Sequence, residues 1–134
     1  YNNVLLFNVL EHLPDFKFTF KEINRIMKKN SYFIGSVPFL YQIHGAPKDY
    51  FRFTPQFFDF YFKKNNFKII KIKSLGFGPF IACYSLIYPY ISLIPFLRFI
   101  FLLIAILLDS FIQLFVKTDL KTIFPVGIFF IVKK

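Results

Sequence analysis

The sequence is short of cysteine, methionine, histidine and acidic residues. Its 134 residues hold one cysteine, one methionine and two histidines. The lone Cys83, set among apolar neighbours, excludes a disulfide framework and any cysteine-built metal cluster, and it fits a reducing compartment. Seven Asp and Glu stand against 17 Lys and Arg, a formal net charge of +10. Such a surplus suits an anionic partner, either nucleic acid or a membrane surface. The only methionine, Met27, falls inside a helical pattern and the chain opens on Tyr1, so a start codon is expected further upstream. No basic, apolar and small-residue signal stands at the N-terminus, where a missing start would hide one.

What is abundant is apolar. Hydrophobic residues make up 56% of the chain and 23 residues are Phe, which beside the basic charge favours a membrane over nucleic acid. The lysines are scattered along expected helices and strands without a basic stripe interleaved with stacking aromatics, so an RNA partner is not expected. An AT-rich genome also enriches Phe, Ile, Lys and Asn, which weakens composition alone as an argument.

At this length the chain is one domain at most, with enough residues for a real core. The run "VLLFNV" at 4–9 predicts a parallel strand buried on both faces. From Asp15, an N-cap, a helix is expected with Phe16, Phe20, Ile23 and Met27 on one face, stopping at Asn30. A second strand covers 31–37 and ends at Pro38. Thr54-Pro55 reads as an N-cap with proline in the first turn of a helix that ends near Asn65-Asn66. A third strand is expected at 67–74, with Ile70 and Ile72 on one face and Lys71 and Lys73 on the other, and a last at 126–133. The alternation implies a partly parallel α/β sheet covered by helices.

Two segments depart from that alternation. "HGAPKDYFRFTP", at 44–55, gathers His, Lys, Asp, Tyr, Arg and Thr where a core has no use for them. The stretch 79–116 carries charge only at Arg98 and Asp109, and Pro89 and Pro95 interrupt it. The uncharged run between Arg98 and Asp109 is ten residues long, well below the roughly 20 a spanning helix needs. Lys71 and Lys73 before it and Lys117 and Lys121 after it make both flanks basic. The segment is therefore expected to dock on a membrane from the cytoplasmic side without crossing it. Packing on the sheet or a dimer interface is the plainer alternative.

"VLEHLPDFKFTFKEINRIMKKNSYFIGSVPF", "HGAPKDYFRFT" and "FKKNNFKIIKIKSLG" together resemble the C-terminal half of class I S-adenosylmethionine-dependent methyltransferases of the type 11 and type 23 kind. The resemblance covers about residues 1–76 and resumes at "FPVGIFFIVKK". It implies a partial Rossmann-like sheet holding strands four to seven, the last antiparallel, with a hydrophobic helical insert. Residues 1–78 and 117–134 would belong to the methyltransferase-like domain and 79–116 to the insert. "LEHLPD" would be the loop after strand four, at the edge where open α/β sheets bind ligands. "KKNS" replaces the family's usual Lys-Pro-Gly-Gly, a turn Asn30 can still make. The glycine-rich loop after strand one and the acidic residue after strand two are absent, so most of the S-adenosylmethionine site would lie outside these residues and the chain alone would be inactive.

The resemblance implies roles for named residues. His12 and His44 are candidate general bases, since imidazole is poised near neutral pH. Asn8 and Glu11 are candidate cofactor contacts, and Asp49, Tyr50 and Arg52 candidate acceptor contacts. Each has a structural counterpart: Glu11 and His12 could pin the loop through backbone hydrogen bonds, Asp49 could pair with Arg52, and Tyr50 could be a lid. Some metal-dependent O-methyltransferases of quinone biosynthesis and small-RNA modification carry Glu-x-x-Glu-His after strand four plus a later histidine. Asn8, Glu11, His12 and His44 occupy similar positions, but Asn8 replaces a carboxylate, and no metal is expected. The function implied is methyl transfer to an oxygen of a saccharide, lipid-linked or membrane-associated acceptor at the inner face of the membrane. A degenerate remnant or a membrane-bound interaction module is the alternative, and an RNA methyltransferase ranks below both.

Overall fold

The computed structural model describes residues 1–45, 48–91 and 95–134. Its strands are β1 (Asn3–Phe7), β2 (Tyr32–Pro38), β3 (Lys68–Leu75) and β4 (Gly127–Lys133), its helices α1 (Phe16–Ile26), α2 (Pro55–Lys64), α3 (Pro79–Ile91), α4 (Pro95–Gln113) and the short α5 (Leu120–Ile123). A single 3-10 turn, Leu10–His12, follows β1. The chain divides into two compact units. The first comprises Tyr1–Phe39, Ile43–Lys73 and Ile128–Lys134, the second Leu40–Gln42 and Ser74–Gly127. The insert was expected at 79–116, and the second unit extends beyond it at both ends.

The sheet order is β1-β2-β4-β3. β1 and β2 are parallel, in register from Asn3 opposite Tyr32 to Phe7 opposite Ser36. β4 runs the other way. Lys134 N–H donates to Ser31 at the start of β2, Leu40 N–H just past its end donates to Pro125, and Val126 N–H donates to Leu75 at the end of β3. The last strand thus lies antiparallel between β2 and β3, the arrangement expected from the resemblance.

Local chemistry explains the elements of the first unit. Asp15 accepts a hydrogen bond from Phe18 N–H and caps α1. Thr54 accepts from Phe57 N–H and caps α2, with Pro55 in the first turn. Asn30 and Asn66 take the left-handed turns (φ 64° and 59°) that follow the two helices. The core is largely aromatic: Phe33, Phe58 and Phe62 surround the fully buried Phe130 of β4 at centroid distances of 5.0, 4.8 and 5.0 Å. Each such ring, buried, stabilises by about 1.5–3 kcal/mol. Gly35 makes room for this layer. A Cβ there would stand 2.5 Å from Phe130 Cζ and 2.6 Å from the Leu6 carbonyl.

Two strand expectations need correction. β1 is not buried on both faces: Leu5 and Phe7 are exposed, because side chains alternate between the two faces of the strand and the face that carries Asn3, Leu5 and Phe7 is left uncovered in this chain. On β3, an edge strand, Ile69 and Ile72 pack on the core while Ile70 is exposed, so the simple two-face reading of this strand fails there.

In the second unit α3 and α4 pack on each other. They are antiparallel: Asp109, late in α4, bonds to Phe80 and Ile81 at the start of α3, while Arg98, early in α4, lies over the ring of Tyr88 late in α3. Pro89 does not end α3 as expected. It falls in the last turn, where it withholds the N–H that would bond to Ser85 O, and the helix still runs to Ile91. Gln113 holds the exit from α4, donating from Nε2 to Val116 O at 2.9 Å and accepting from Leu120 N–H at 2.9 Å.

Candidate functional site

The 3-10 turn after β1 brings Glu11 and His12 to the carboxyl end of the parallel strand pair, and the loop after β2 brings His44 to the same place. The two imidazoles meet edge to face with centroids 4.9 Å apart. Glu11 Oε1 lies 3.7 Å from His12 Nε2 and 4.0 Å from His44 Nε2. One donor atom from each residue lies within 4.8 Å of the other two.

The outer partners decide what these atoms offer. His12 Nδ1 sits 2.6 Å from the Lys48 carbonyl. A carbonyl only accepts, so Nδ1 carries the proton and neutral His12 turns the lone pair of Nε2 toward Glu11. His44 is arranged alike, its Nδ1 lying 3.3 Å from Asp49 Oδ2. Asp49 in turn accepts His44 N–H at 3.1 Å and takes both Arg52 nitrogens, at 2.5 and 2.6 Å. The Arg52 hydrogen bonds, partly opposed by burial, hold the Asp49 carboxyl down at about 2. Arg52 therefore steadies Asp49, and Asp49 steadies His44.

Glu11 is the anomaly. Its side chain is fully buried and neither carboxyl oxygen has a hydrogen-bond partner among the described residues. Burial pushes its pKa up, and its own N–H and the two histidines oppose that rise. One carboxylate oxygen and the two imidazole Nε2 atoms thus face one another, and among the described residues no hydrogen bond reaches the Glu11 carboxylate. A proton or a cation relieves that arrangement. Two imidazoles and one carboxylate form a donor set suited to Zn2+, Mn2+ or Fe2+ more than to Mg2+ or Ca2+. Bonds of about 2.1 Å hold donors no more than about 4.2 Å apart, so the cluster would close slightly around an ion.

The other sequence candidates are distributed as follows. Tyr50 donates its N–H to Glu11 O at 2.8 Å and leaves its ring largely exposed beside Phe51. Asn8 is exposed at the end of β1 with φ 52°, its N–H donating to Ser36 O at 2.9 Å and its side-chain oxygen accepting from Ser36 Oγ at 3.4 Å. Asp49 and Arg52 pair with each other, the structural counterpart weighed above. Main-chain pinning of the loop is also present, through Glu11 O and His12 Nδ1, and it leaves the Glu11 carboxylate unaccounted for. Ala46 and Pro47 of the loop lie outside the described residues. Sequence reasoning missed the Lys48 carbonyl, which fixes the His12 tautomer; a backbone acceptor leaves no trace in side-chain identity.

No protein-family model matches the chain, and no curated protein matches its sequence. Among solved structures, it is similar to coclaurine N-methyltransferase bound to N-methylheliamine and SAH, with 12% identity and a TM-score of 0.50 over 100% of this chain. The chain spans about half of that protein, 48% of its length. The likeness bears on the fold, which is that of a partial Rossmann-like class I methyltransferase sheet carrying a helical insert.

Proposed function

We propose that the chain is the acceptor-side part of an S-adenosylmethionine-dependent methyltransferase that methylates an oxygen of a saccharide, lipid-linked or otherwise membrane-associated acceptor. The observation that carries this reading is His44, whose Nδ1 faces the Arg52-held Asp49 while Nε2 opens onto the cluster at the carboxyl edge of a methyltransferase-like sheet. In the reaction, His44 Nε2 takes the hydroxyl proton as the oxygen attacks the sulfonium methyl. The carbon–sulfur bond breaks and S-adenosylhomocysteine leaves neutral. The electrophile is already activated, so the protein's work is positioning and proton removal. His12 is the alternative base, Tyr50 is suited by its exposure to cover the acceptor, and Asn8 and Glu11 flank the cofactor side. The basic flanks of the apolar segment support a location at the cytoplasmic face of the membrane.

The test uses the protein at its natural full length. His44→Ala is expected to lower kcat by about 10²–10⁴-fold while S-adenosylhomocysteine affinity, measured by calorimetry, changes little. Unchanged turnover would make His44 structural, and no nucleoside binding by the parent protein would end the methyltransferase reading.

The orphaned Glu11 carboxylate favours a second reading, in which Glu11, His12 and His44 hold a divalent cation that, when bound, would polarise the acceptor hydroxyl. Under that reading Mn2+ or Zn2+ raises the melting temperature of the chain and Glu11→Gln removes the rise. The same rise in the variant would argue against it.

A further inference from the structure

We propose that α3 and α4 lie in the plane of an anionic lipid interface, locked together by the buried Asp109 carboxylate, with the outward stripe of α4 facing the lipid. The stripe is Phe96, Phe99, Leu103, Leu107 and Phe111, all exposed, with Phe96 at 75% and Leu107 at 67%. Its spacing of three and four residues is that of a helix face. In a soluble protein such a face turns inward. Here the window Phe96–Gln113, of mean hydropathy 2.1, is only 11% buried, so this face of α4 is left uncovered by the rest of the chain.

The polar groups are arranged to tolerate lipid. Asp109 is the one acidic residue between Ser74 and Thr118, and it is fully buried. Its two oxygens accept from Phe80 N–H and Ile81 N–H, each at 2.9 Å. One carboxylate thereby fills donors that the first turn of α3 leaves without helical partners, and no acid faces outward. Gly78 is part of the same device, since a Cβ there would come within 2.5 Å of the Asp109 carboxylate. The cations are placed differently. Arg98 lies 5.0 Å from the centroid of Tyr88 near one end of α4, and Lys117 is exposed just past the other end. Asp109, the acid on the same helix as Arg98, is turned inward, and Asp119 beside Lys117 pairs with Lys121, so both cations are placed for anionic headgroups.

The same charges fix the orientation. α4, at 19 residues, is about 28 Å long, and α3, at 13 residues, about 20 Å. A hydrocarbon core is about 30 Å thick. If the pair entered with the α3–α4 connection leading, Arg98 would be carried into or across the hydrocarbon at a cost of several kcal/mol. Lying flat, Arg98 and Lys117 reach headgroups of one leaflet while the stripe sinks to the acyl boundary.

The experiment exploits the absence of tryptophan from the chain. Phe99→Trp and Leu107→Trp, made separately, are mixed with vesicles of phosphatidylcholine alone or doped with phosphatidylglycerol. Binding is read by flotation and depth by lipids brominated at defined acyl positions. The expected result is flotation with the doped vesicles, weakened by salt, and equal shallow quenching of both tryptophans. Leu103→Asp with Leu107→Asp should cut partitioning by about tenfold or more, while Phe18→Ser, at an exposed site on α1, should not change it. Circular dichroism verifies that the variants keep their helices. Absence of flotation overturns the proposal, as does quenching deeper at Phe99 than at Leu107. A detergent-free dimer that both Asp substitutions dissolve, with no vesicle binding, also overturns it and assigns the stripe to a second copy of the chain. No methyl donor or acceptor is present in the assay, so its failure leaves the methyl-transfer reading untouched.

Discussion

Replacing Glu11 by methionine removes both orphaned oxygens while keeping the length of the side chain and its place in the 3-10 turn. If the carboxylate serves the reaction and not the fold, this substitution stabilises the protein. An unpartnered buried polar group costs about 1–3 kcal/mol, and Glu11 is fully buried without a hydrogen-bond partner among the described residues. A gain of that size is expected at about pH 8. Its pH dependence follows from the raised carboxyl pKa, caused first by burial. Below about 4.5, its ordinary value, the group is protonated in both folded and unfolded chains and contributes no slope. As pH rises past that value the unfolded chain releases the proton while the folded protein keeps it, so stability falls until the folded pKa is passed. Glu11→Met abolishes that fall, and its advantage should be larger at about pH 8 than at about pH 5. Urea unfolding followed by circular dichroism in the presence of a chelator measures both quantities. A variant less stable than the parent by more than about 1 kcal/mol at the higher pH would show that the carboxylate holds the loop in place, and the argument for a functional cluster would fall.

Asp49 has the opposite sign. Its carboxyl, held at about 2 chiefly by Arg52, contributes stability that is present above its ordinary pKa and lost as pH falls toward 2, up to about 2 kcal/mol. Asp49→Asn should remove that contribution and flatten the acid limb of the unfolding curve, and an unaltered limb would refute the pairing with Arg52. Gly35→Ala should destabilise by about 2 kcal/mol or more, since the added methyl meets a backbone oxygen as well as the Phe130 ring. Denaturation midpoints equal to those of the parent would contradict the packing of β4 on β2.

Much of this framework was legible in the sequence where one residue decides one local event. Asp15 and Thr54 announced the two helix starts because a side-chain oxygen satisfying a backbone N–H is a local matter, and Asn30 and Asn66 marked the ends for an equally local reason. The strand edges were harder to read. Leu5 and Ile70 have the identity of buried residues, yet they lie on edge strands, and what covers a strand face depends on elements far along the chain. The candidate site was legible as a list and not as a geometry. His12, His44 and Glu11 could be named from their positions after apolar strands, but the convergence of their acceptor atoms depends on the Lys48 carbonyl and on the Asp49–Arg52 pair. Asp109 was visible as an isolated charge in an apolar run. Its partners, the first N–H groups of α3, lie 28 and 29 residues away, and no periodicity links them.

The position of β4 has a consequence for synthesis. The strand that fills the middle of the sheet leaves the ribosome after the strands it joins, β2 and β3, and after α3 and α4. Until it arrives, β2 and β3 have no ladder between them, and the rings of Phe33, Phe58 and Phe62 lack the Phe130 they close on. Contacts such as Lys134 Nζ with Met27 O, 107 residues apart, must then form across a long loop, an ordering that slows sheet completion. At about 5–20 residues per second, α3 and α4 emerge seconds before the domain that carries them can close. A nascent chain with this order exposes its apolar helices while the sheet is still open, so the order of synthesis becomes part of how it folds.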